Sequence, residues 1–216
     1  MSFSFLITIP RHDTTVQYLA SWSKEVLGFA KNRNIKYRQL EGPRANRKDV
    51  ESALRKQNPD FVLFNGHGDE TTISGHKNEP LIMSNKNEHL LESKIVYALA
   101  CNAAKQLGRD AVKKGCKAFI GYEAVFGFVR DITREASPMK DKFARPFKEF
   151  SNTISISLLK GNTVHVAVER AKKRAQELIR YYSTSDAEPG HRDVRFWLFW
   201  NSYFLTALGD TEARLK

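Results

Sequence analysis

The chain has 216 residues, of which 41% are hydrophobic and 27% charged, an ordinary soluble composition that favours one domain over residues 1–216. No apolar stretch approaches the roughly 20 residues of a membrane helix, so we expect no membrane contact, and two cysteines do not suggest a disulfide framework. The net charge of +11 is compatible with nucleic acid, an acidic partner or an acidic substrate surface, and selects none of them.

The N-terminal half alternates short apolar runs with amphipathic segments. We predict strands at Phe3 to Ile9, Ile35 to Leu40, Phe61 to Phe64, Ile95 to Ala100 and Lys117 to Tyr122. We predict helices at Thr14 to Lys31, Arg47 to Gln57, Glu88 to Glu92 and Leu107 to Lys114, and a small hairpin or flap at Thr71 to Leu81. This alternation with short connections predicts an α/β fold, a three-layer α/β/α sandwich with a mostly parallel sheet.

The pattern changes after Gly127. The charged segment Phe128 to Pro146 contains two prolines and predicts a surface loop. The remaining predictions are helices at Phe147 to Lys160 and Thr163 to Tyr182, a polar loop at Ser183 to Asp193 that contains Pro189-Gly190, and an aromatic helix or strand at Phe196 to Leu208.

Two predicted strands end in residues that can carry chemistry. One apolar run leads into Gly66-His67-Gly68, and another leads into Ala100-Cys101-Asn102. In open α/β sheets, ligands bind at the carboxyl ends of the strands. If these strands are neighbours, the imidazole of His67 faces the thiol of Cys101, which is the minimal arrangement for a cysteine nucleophile.

The glycines beside His67 support a functional interpretation. Gly66 and Gly68 allow positive φ and a close approach of the backbone to a ligand. The amides of Gly68 and Cys101 are candidate oxyanion donors, and one good donor contributes about 3 kcal/mol. The competing interpretations are a small buried apolar role for Cys101 and a hydrogen-bonded structural role for His67.

The other cysteine and histidines are weaker candidates. Cys116 lies at the entry to a strand, away from the crevice, so we interpret it as structural. His12 ends the first strand and is expected to line the crevice. A zinc site of His67, Asp69 and His76 has a spacing that fits no standard ligand set. We therefore expect neither a metal nor a cofactor.

The densest basic segment, Arg170 to Arg174, favours a solvated helix face over a nucleic-acid site. Apolar residues at helical spacing form the opposite face: Val164, Val168, Ala171, Ala175, Leu178 and Tyr182.

The segment Met1 to Pro10 has no basic residue before its apolar run, unlike a signal peptide. With two cysteines, this favours a reducing, cytoplasmic location, which would keep a catalytic thiol reduced.

With these motifs in place, the chain resembles the caspase-like cysteine peptidases of clan CD, and most closely their bacterial CHAT domains. The shared marks are an apolar strand ending in His-Gly and a later one ending in Ala-Cys. The order of a helix, a glycine turn into a strand, a Phe-rich helix, an Ala-rich helix and a terminal aromatic segment is also similar. The resemblance extends over roughly Ile7 to Asp210.

The resemblance implies a cysteine endopeptidase acting on a protein substrate. Cys101 would attack the carbonyl, His67 would protonate the leaving amine, and the Gly68 and Cys101 amides would hold the oxyanion. The substrate pocket would lie near the ends of the first, third and fifth strands, with candidate walls His12, Asp69, Glu123 and Asp131. Three of these walls are acidic, which points to cleavage after Arg or Lys, although each also fits a solvated loop carboxylate. The segment Phe128 to Pro146 then becomes a candidate self-processing site.

The chain also departs from the family. The caspase pentapeptide around the cysteine is absent, so aspartate specificity is not implied, and the 34-residue interval from His67 to Cys101 is short. No sensor domain is attached, which implies activation by a protein partner, oligomerisation or cleavage. Similarity to CHAT proteins implies a role in prokaryotic antiviral defence.

Two alternatives remain open. A catalytically silent caspase-like module would bind a protein partner or nucleic acid through its basic surface. A different α/β enzyme, such as an acyltransferase, would use the same crevice.

Overall fold

The computed structural model describes residues 3–187 and 191–216. Its central sheet has six strands in the order β2-β1-β3-β6-β7-β8, and two further strands form a separate antiparallel hairpin. Five strands of the sheet run parallel, and β8 pairs antiparallel with β7. The strands are β1 (Ser4–Ile9), β2 (Lys36–Glu41), β3 (Phe61–Asn65), β4 (Thr72–Ser74), β5 (Pro80–Met83), β6 (Ile95–Leu99), β7 (Ala118–Tyr122) and β8 (Leu205–Gly209).

Three of the helices begin at polar side chains that satisfy one of their first free amides. Asp13, Asn46 and Thr163 cap α1, α2 and α5 by accepting backbone hydrogen bonds. The helices are α1 (Thr14–Asn32), α2 (Arg47–Gln57), α3 (Leu107–Lys113), α4 (Arg145–Leu159), α5 (Val164–Tyr181) and α6 (His191–Phe204).

The sheet buries both faces because its strands carry apolar side chains at successive positions. On β3, Phe61 and Leu63 enter one core with α1, α4, α5 and α6. Val62 and Phe64 enter a second core with α2, α3 and the β4–β5 hairpin. The predicted three-layer α/β/α sandwich with a mostly parallel sheet is confirmed.

The chain order places a switch point between β1 and β3. Strand β1 pairs with β2 on one side and with β3 on the other. The α1 crossover therefore leads away from β1 in one direction and α2 leads back past it, with the two helices on opposite faces of the sheet. Ligand sites of open α/β sheets lie outside the carboxyl ends of the strands at such a point.

Most predicted elements are present, and the differences lie in the part of the chain after Gly127. The segment Phe128 to Pro146 is not wholly a surface loop, because the ring of Phe128 packs against Trp22 and Asp141 is buried. Helix α4 begins at Arg145, so Pro146 belongs to its first turn. The aromatic segment divides into helix α6 and edge strand β8.

The hairpin prediction for Thr71 to Leu81 is confirmed by β4 and β5. The predicted loop Ser183 to Asp193 is shorter than expected, because α6 begins at His191. Its Pro189-Gly190 pair lies outside the described residues. None of the helices in the described parts of the chain combines the length and apolar composition needed to cross a bilayer.

Candidate active site

The strand register places His67 and Cys101 at equivalent positions. Asn65 at the end of β3 is in register with Leu99 at the end of β6, and His67 and Cys101 each follow two residues later. The Gly66 amide still donates to the Leu99 carbonyl at 3.4 Å. The two strands are therefore adjacent, as predicted, and His67 and Cys101 lie at the same edge of the sheet.

Close backbone packing joins the two loops. A Cβ atom at Gly68 would lie 3.0 Å from the Cys101 carbonyl oxygen and 3.0 Å from the Ala100 Cβ. A Cβ atom at Gly66 would lie only 2.1 Å from the Ser74 carbonyl oxygen. Both positions therefore require glycine for contact with neighbouring backbone. Neither glycine adopts the positive φ that its lack of a side chain allows.

The β4–β5 hairpin fixes the loop that carries His67. The Ser74 amide donates to the His67 carbonyl at 2.9 Å, and the Asp69 amide donates to Thr72 at 3.0 Å. These bonds flank a bridge between Gly68 and Ile73. The imidazole of His67 is thus presented by a loop held from both sides, by β6 and by the hairpin.

Asp13 is the residue near His67 that sequence reasoning missed. Its Oδ1 accepts the Val16 amide at 3.0 Å as the cap of α1, and its Oδ2 lies 2.7 Å from Nε2 of His67. Partial burial opposes ionisation, but the bonds from Val16 and His67 outweigh it and lower the pKa of the Asp13 carboxyl. An Asp before an apolar helix signals a cap, whereas its second contact depends on the strand order.

His12 lies beside this pair. Its Nε2 is 3.3 Å from Asp13 Oδ2 and 3.1 Å from Asn78 Oδ1. Its ring centroid is 5.8 Å from that of His67 and 5.4 Å from that of His76. His76 is in the hairpin, as predicted, and its Nδ1 accepts the Arg11 amide at 3.3 Å.

The thiol of Cys101 is mostly enclosed. Its Sγ lies 3.9 Å from the Phe126 carbonyl oxygen. Burial raises the pKa of the thiol above its ordinary value. The next residue, Asn102, has a φ of 55°, a left-handed conformation that Asn tolerates better than most residues, and its amide donates to Ala124 at 3.0 Å. The raised pKa favours the neutral thiol, which lies against the segment that follows β7.

Helix α6 clamps that segment. The buried side chain of Asn201 accepts the Gly127 amide at 3.0 Å and donates to the Gly127 carbonyl at 2.7 Å. The indole of Trp200 donates to the Val125 carbonyl at 2.9 Å. The carbonyl of Phe126 that faces Cys101 lies between these two anchors, so its position depends on α6.

Two backbone amides at the site lack a hydrogen-bond partner on any other described residue. Across residues 3–187 and 191–216, the Gly68 and Cys101 amides donate to no other residue's backbone or side-chain group. Free amides at the end of a strand can stabilise a developing oxyanion. These are the two amides that the sequence nominated for that role.

The three acidic wall candidates each have a local partner. Asp69 accepts the Thr71 amide at 2.8 Å, and Glu123 pairs with Arg109 at 2.6 Å. Asp131 accepts the Thr133 amide at 2.9 Å, and the Thr133 side-chain and backbone bonds lower the pKa of its carboxyl. None of these contacts joins a wall candidate to His67 or Cys101, so the acidic pocket stays a prediction.

The second cysteine differs from the first in its environment. Cys116 is 3% exposed, and its thiol lies 3.4 Å from the carbonyl oxygens of Lys94 and Ala118. Burial raises the pKa of this thiol to about 12. The structural interpretation of Cys116 therefore fits its position in the second core.

The structure does not assemble the zinc set that the sequence disfavoured. His67, Asp69 and His76 do not form a cluster with ligand distances. Among the described residues, the group of three that does is His12, Asp13 and His67, whose ligand atoms lie within 4.8 Å of one another.

The fold is similar to that of solved cysteine proteinases. The Arg-specific cysteine proteinase gingipain R superposes with a TM-score of 0.61 at 13% identity, over 99% of this chain and 47% of that one. A structure described as a protease gives 0.59 at 13% identity, over 98% and 48%. A complex of the RgpB pro- and mature domains from Porphyromonas gingivalis gives 0.58 at 12% identity, over 97% and 47%.

These similarities concern the fold. The chain spans about half the length of the solved structures it matches. No family model matches the sequence, and no curated protein matches it. The chain therefore has the caspase-like α/β fold of gingipain R.

Proposed function

We propose that the protein is a caspase-like cysteine peptidase of clan CD, most similar to CHAT domains, with Cys101 as nucleophile and His67 as general base and acid. One observation carries the proposal. His67 and Cys101 occupy register-equivalent positions beyond paired parallel strands, and the intervening contact is the backbone of Gly68 against that of Cys101. Nucleophile and base thus share one edge of a rigid sheet, which favours precise positioning.

The Asp13 contact determines which ring nitrogen reacts. A carboxylate only accepts hydrogen bonds, so His67 carries its proton on Nε2 toward Asp13. The lone pair is then on Nδ1. This nitrogen takes the proton of the Cys101 thiol as Sγ attacks the substrate carbonyl carbon, and the carboxylate of Asp13 stabilises the resulting imidazolium.

The remaining steps return the enzyme to its starting state. The oxyanion of the tetrahedral intermediate accepts hydrogen bonds from the Gly68 and Cys101 amides. His67 gives its Nδ1 proton to the leaving amine as the C–N bond breaks, which leaves a thioester on Cys101. Water then attacks the thioester with its proton passing to Nδ1, and collapse releases the acid and the thiol.

We propose cleavage after Arg or Lys, with His12, Asp69, Glu123 and Asp131 near the pocket that accepts that side chain. One neighbour of the fold is described as Arg-specific. Peptide amides with Arg, Leu or Asp before the scissile bond test this directly. We expect the Arg amide to be hydrolysed faster than the other two. This hydrolysis should be lost in Cys101→Ala and retained in Cys116→Ala. Preference for Leu or Asp contradicts the specificity.

We propose that the exposed part of the segment Phe128 to Pro146 is processed. Phe128 and the buried Asp141 anchor its two ends, and Ile132 between them is 79% exposed. Arg130, Arg134 and Lys140 are the exposed basic residues between the anchors. Mass spectrometry of an active preparation should show cleavage after one of them, and an intact segment in fully active protein contradicts this.

We further propose a cytoplasmic enzyme of prokaryotic antiviral defence that a protein partner or its own processing activates. The enclosed, protonated thiol supports latency, because the resting site holds Cys101 against the segment 124–127. Addition of candidate activators should raise turnover of a peptide amide. Full activity of the isolated chain contradicts the requirement for a partner.

The alternative function is a silent module that binds a partner or nucleic acid. The net charge of +11 and the exposed side chains of Arg170, Lys173 and Arg180 on α5 favour it. Binding to nucleic acid that weakens with salt and is unchanged in Cys101→Ala supports this alternative. Hydrolysis that depends on Cys101 contradicts it.

A further inference from the structure

A compact group of nitrogen and oxygen atoms lies where β1 and β3 end. The Oδ2 atom of Asp13 is 2.7 Å from Nε2 of His67 and 3.3 Å from Nε2 of His12. One carboxylate oxygen therefore stands between two imidazoles that come from neighbouring strands. This is also the switch point of the sheet, where open α/β folds bind ligands.

The spacing of these atoms fits a tetrahedral zinc ion. Zinc binds histidine nitrogen and carboxylate oxygen at about 2.0–2.2 Å, so two ligand atoms of one tetrahedron are about 3.3 Å apart. The contact between His12 and Asp13 already has that length. All three ligand atoms lie within 4.8 Å of one another, so small side-chain rotations bring them onto one ion.

The ring of His12 is directed at this cluster. The side chain is only 12% exposed, and its buried Nδ1 has no hydrogen-bond partner among the described residues. Its polar contacts are all made by Nε2, toward Asp13 and Asn78. A nearly buried imidazole that contacts a carboxylate, with a second imidazole ring 5.8 Å away on the same carboxylate, has the arrangement of a metal ligand.

We propose that His12, Asp13 and His67 form a binding site for Zn²⁺ that inhibits the enzyme. Two imidazoles and one carboxylate suit zinc better than calcium or magnesium, which prefer oxygen ligands. Water completes the coordination. Metal binding at this site follows from the geometry of the three side chains alone, whereas its inhibitory effect rests on the proposed function.

Inhibition follows from the protonation of His67. Zinc on Nε2 replaces the proton that Asp13 accepts and requires the other ring proton to be on Nδ1. Nδ1 then has no lone pair for the proton of the Cys101 thiol. The metal thus blocks the base through its protonation state.

Direct binding tests the site without any activity. Zn²⁺ binding to the full chain carrying Cys101→Ala is measured by calorimetry, with Co²⁺ absorption as a check on coordination. One ion per chain is expected. His12→Gln and Asp13→Asn should each weaken Zn²⁺ binding. The loss of affinity should exceed the roughly 10–100-fold that follows removal of a group that only hydrogen-bonds to a metal ligand. Asn at position 13 still caps α1, so this variant keeps the fold.

His76→Gln is the matched control, because its ring is 5.4 Å from that of His12 but does not belong to the cluster. Its Zn²⁺ affinity should equal that of the parent. The site is overturned if the Cys101→Ala protein binds no zinc, or if His12→Gln and Asp13→Asn bind as tightly as His76→Gln.

Activity separates the regulatory claim from the proposed function. Zn²⁺ should inhibit peptide hydrolysis reversibly, and His12→Gln should need at least tenfold more Zn²⁺ than His76→Gln for half inhibition. Bound zinc that leaves turnover unchanged or raises it overturns inhibition alone. Specific zinc binding by a protein that never hydrolyses peptides refutes the proposed function and leaves the metal site standing.

Discussion

The Nε2 atom of His67 lies 2.7 Å from the Oδ2 atom of Asp13, although the two residues are 54 positions apart in the sequence. Asp13 is the cap of α1 and lies between β1 and α1, whereas His67 lies in the loop that follows β3. The pairing of β1 with β3 brings them together. A helix-capping residue thereby acquires a second role in positioning the proposed base.

Asp13→Asn separates these two roles. The amide oxygen still caps α1, but the charge that stabilises the His67 imidazolium is lost. We expect kcat to fall by about 10²-fold or more, since general acid–base catalysis contributes about 10²–10⁴-fold, with little change in KM or Tm. Steady-state kinetics and thermal melts check this.

Asn46→Ala provides the matched control for the cap. It removes the side chain that accepts the Asp49 amide at 2.9 Å in α2, outside the contacts of the site. It should cost about 1 kcal/mol of stability and leave kcat unchanged. Wild-type kcat in Asp13→Asn would contradict the positioning role.

Glycine substitutions test the close contact between the two catalytic loops. Gly68→Ala places a methyl group 3.0 Å from the backbone oxygens of Cys101 and Thr72, so the loops must separate. We expect loss of most activity and a destabilisation of about 1–3 kcal/mol.

Gly28→Ala is the control for the same chemical change, because nothing lies within 4 Å of its Cβ position in α1. It should raise stability by about 0.5–1 kcal/mol and leave activity intact. Unchanged turnover in Gly68→Ala would show that the contact with Cys101 is unimportant.

Asn201→Leu tests the clamp on the segment beside Cys101. The substitution leaves the amide and carbonyl of Gly127 without their partners, and each unsatisfied buried group costs about 1–3 kcal/mol. We expect a lower Tm and faster alkylation of Cys101, since the Phe126 carbonyl loses its support. Alkylation at the wild-type rate in a folded variant would contradict the clamp.

The protonation of Cys101 predicts a pH dependence of alkylation. Burial raises the pKa of this thiol, so the neutral form is favoured in the folded protein and the thiolate appears only as pH rises. Iodoacetamide should therefore modify Cys101 slowly near neutral pH and faster as the pH rises.

Cys116 is the internal reference for this experiment. Its pKa is raised to about 12, and its side chain is buried, so it should stay unmodified across the same range. A rate for Cys101 that is already maximal at pH 6–7 would show a preformed thiolate and contradict the resting state described.

The sequence predicted the sheet and the catalytic candidates because both rest on local signals. Buried parallel strands are continuous apolar runs, and the Gly-His-Gly and Ala-Cys motifs stand at their ends. The contact of Asp13 with His67 could not be predicted, because it depends on β1 lying beside β3 rather than on any spacing in the chain.

Tertiary pairing explains the other differences. Nothing in the aromatic run Phe196 to Leu208 marks the point where helix becomes strand. The change falls at Leu205, where the chain begins to pair with Tyr122 of β7. The crowding of Gly66 and Gly68 by the backbone of Ser74, Thr72 and Cys101 could not be predicted either, because it depends on how the hairpin and the Cys101 loop pack onto these glycines.

The measurement that tests the central claim most directly is active-site labelling. The protein is treated with a peptidyl-Arg electrophile, and the adduct is located by mass spectrometry in parallel with Cys101→Ala and His67→Ala. The account predicts an adduct on Cys101 that depends on His67, with Cys116 unmodified. Labelling of Cys116, or of Cys101 at equal rates with and without His67, would contradict the proposed dyad.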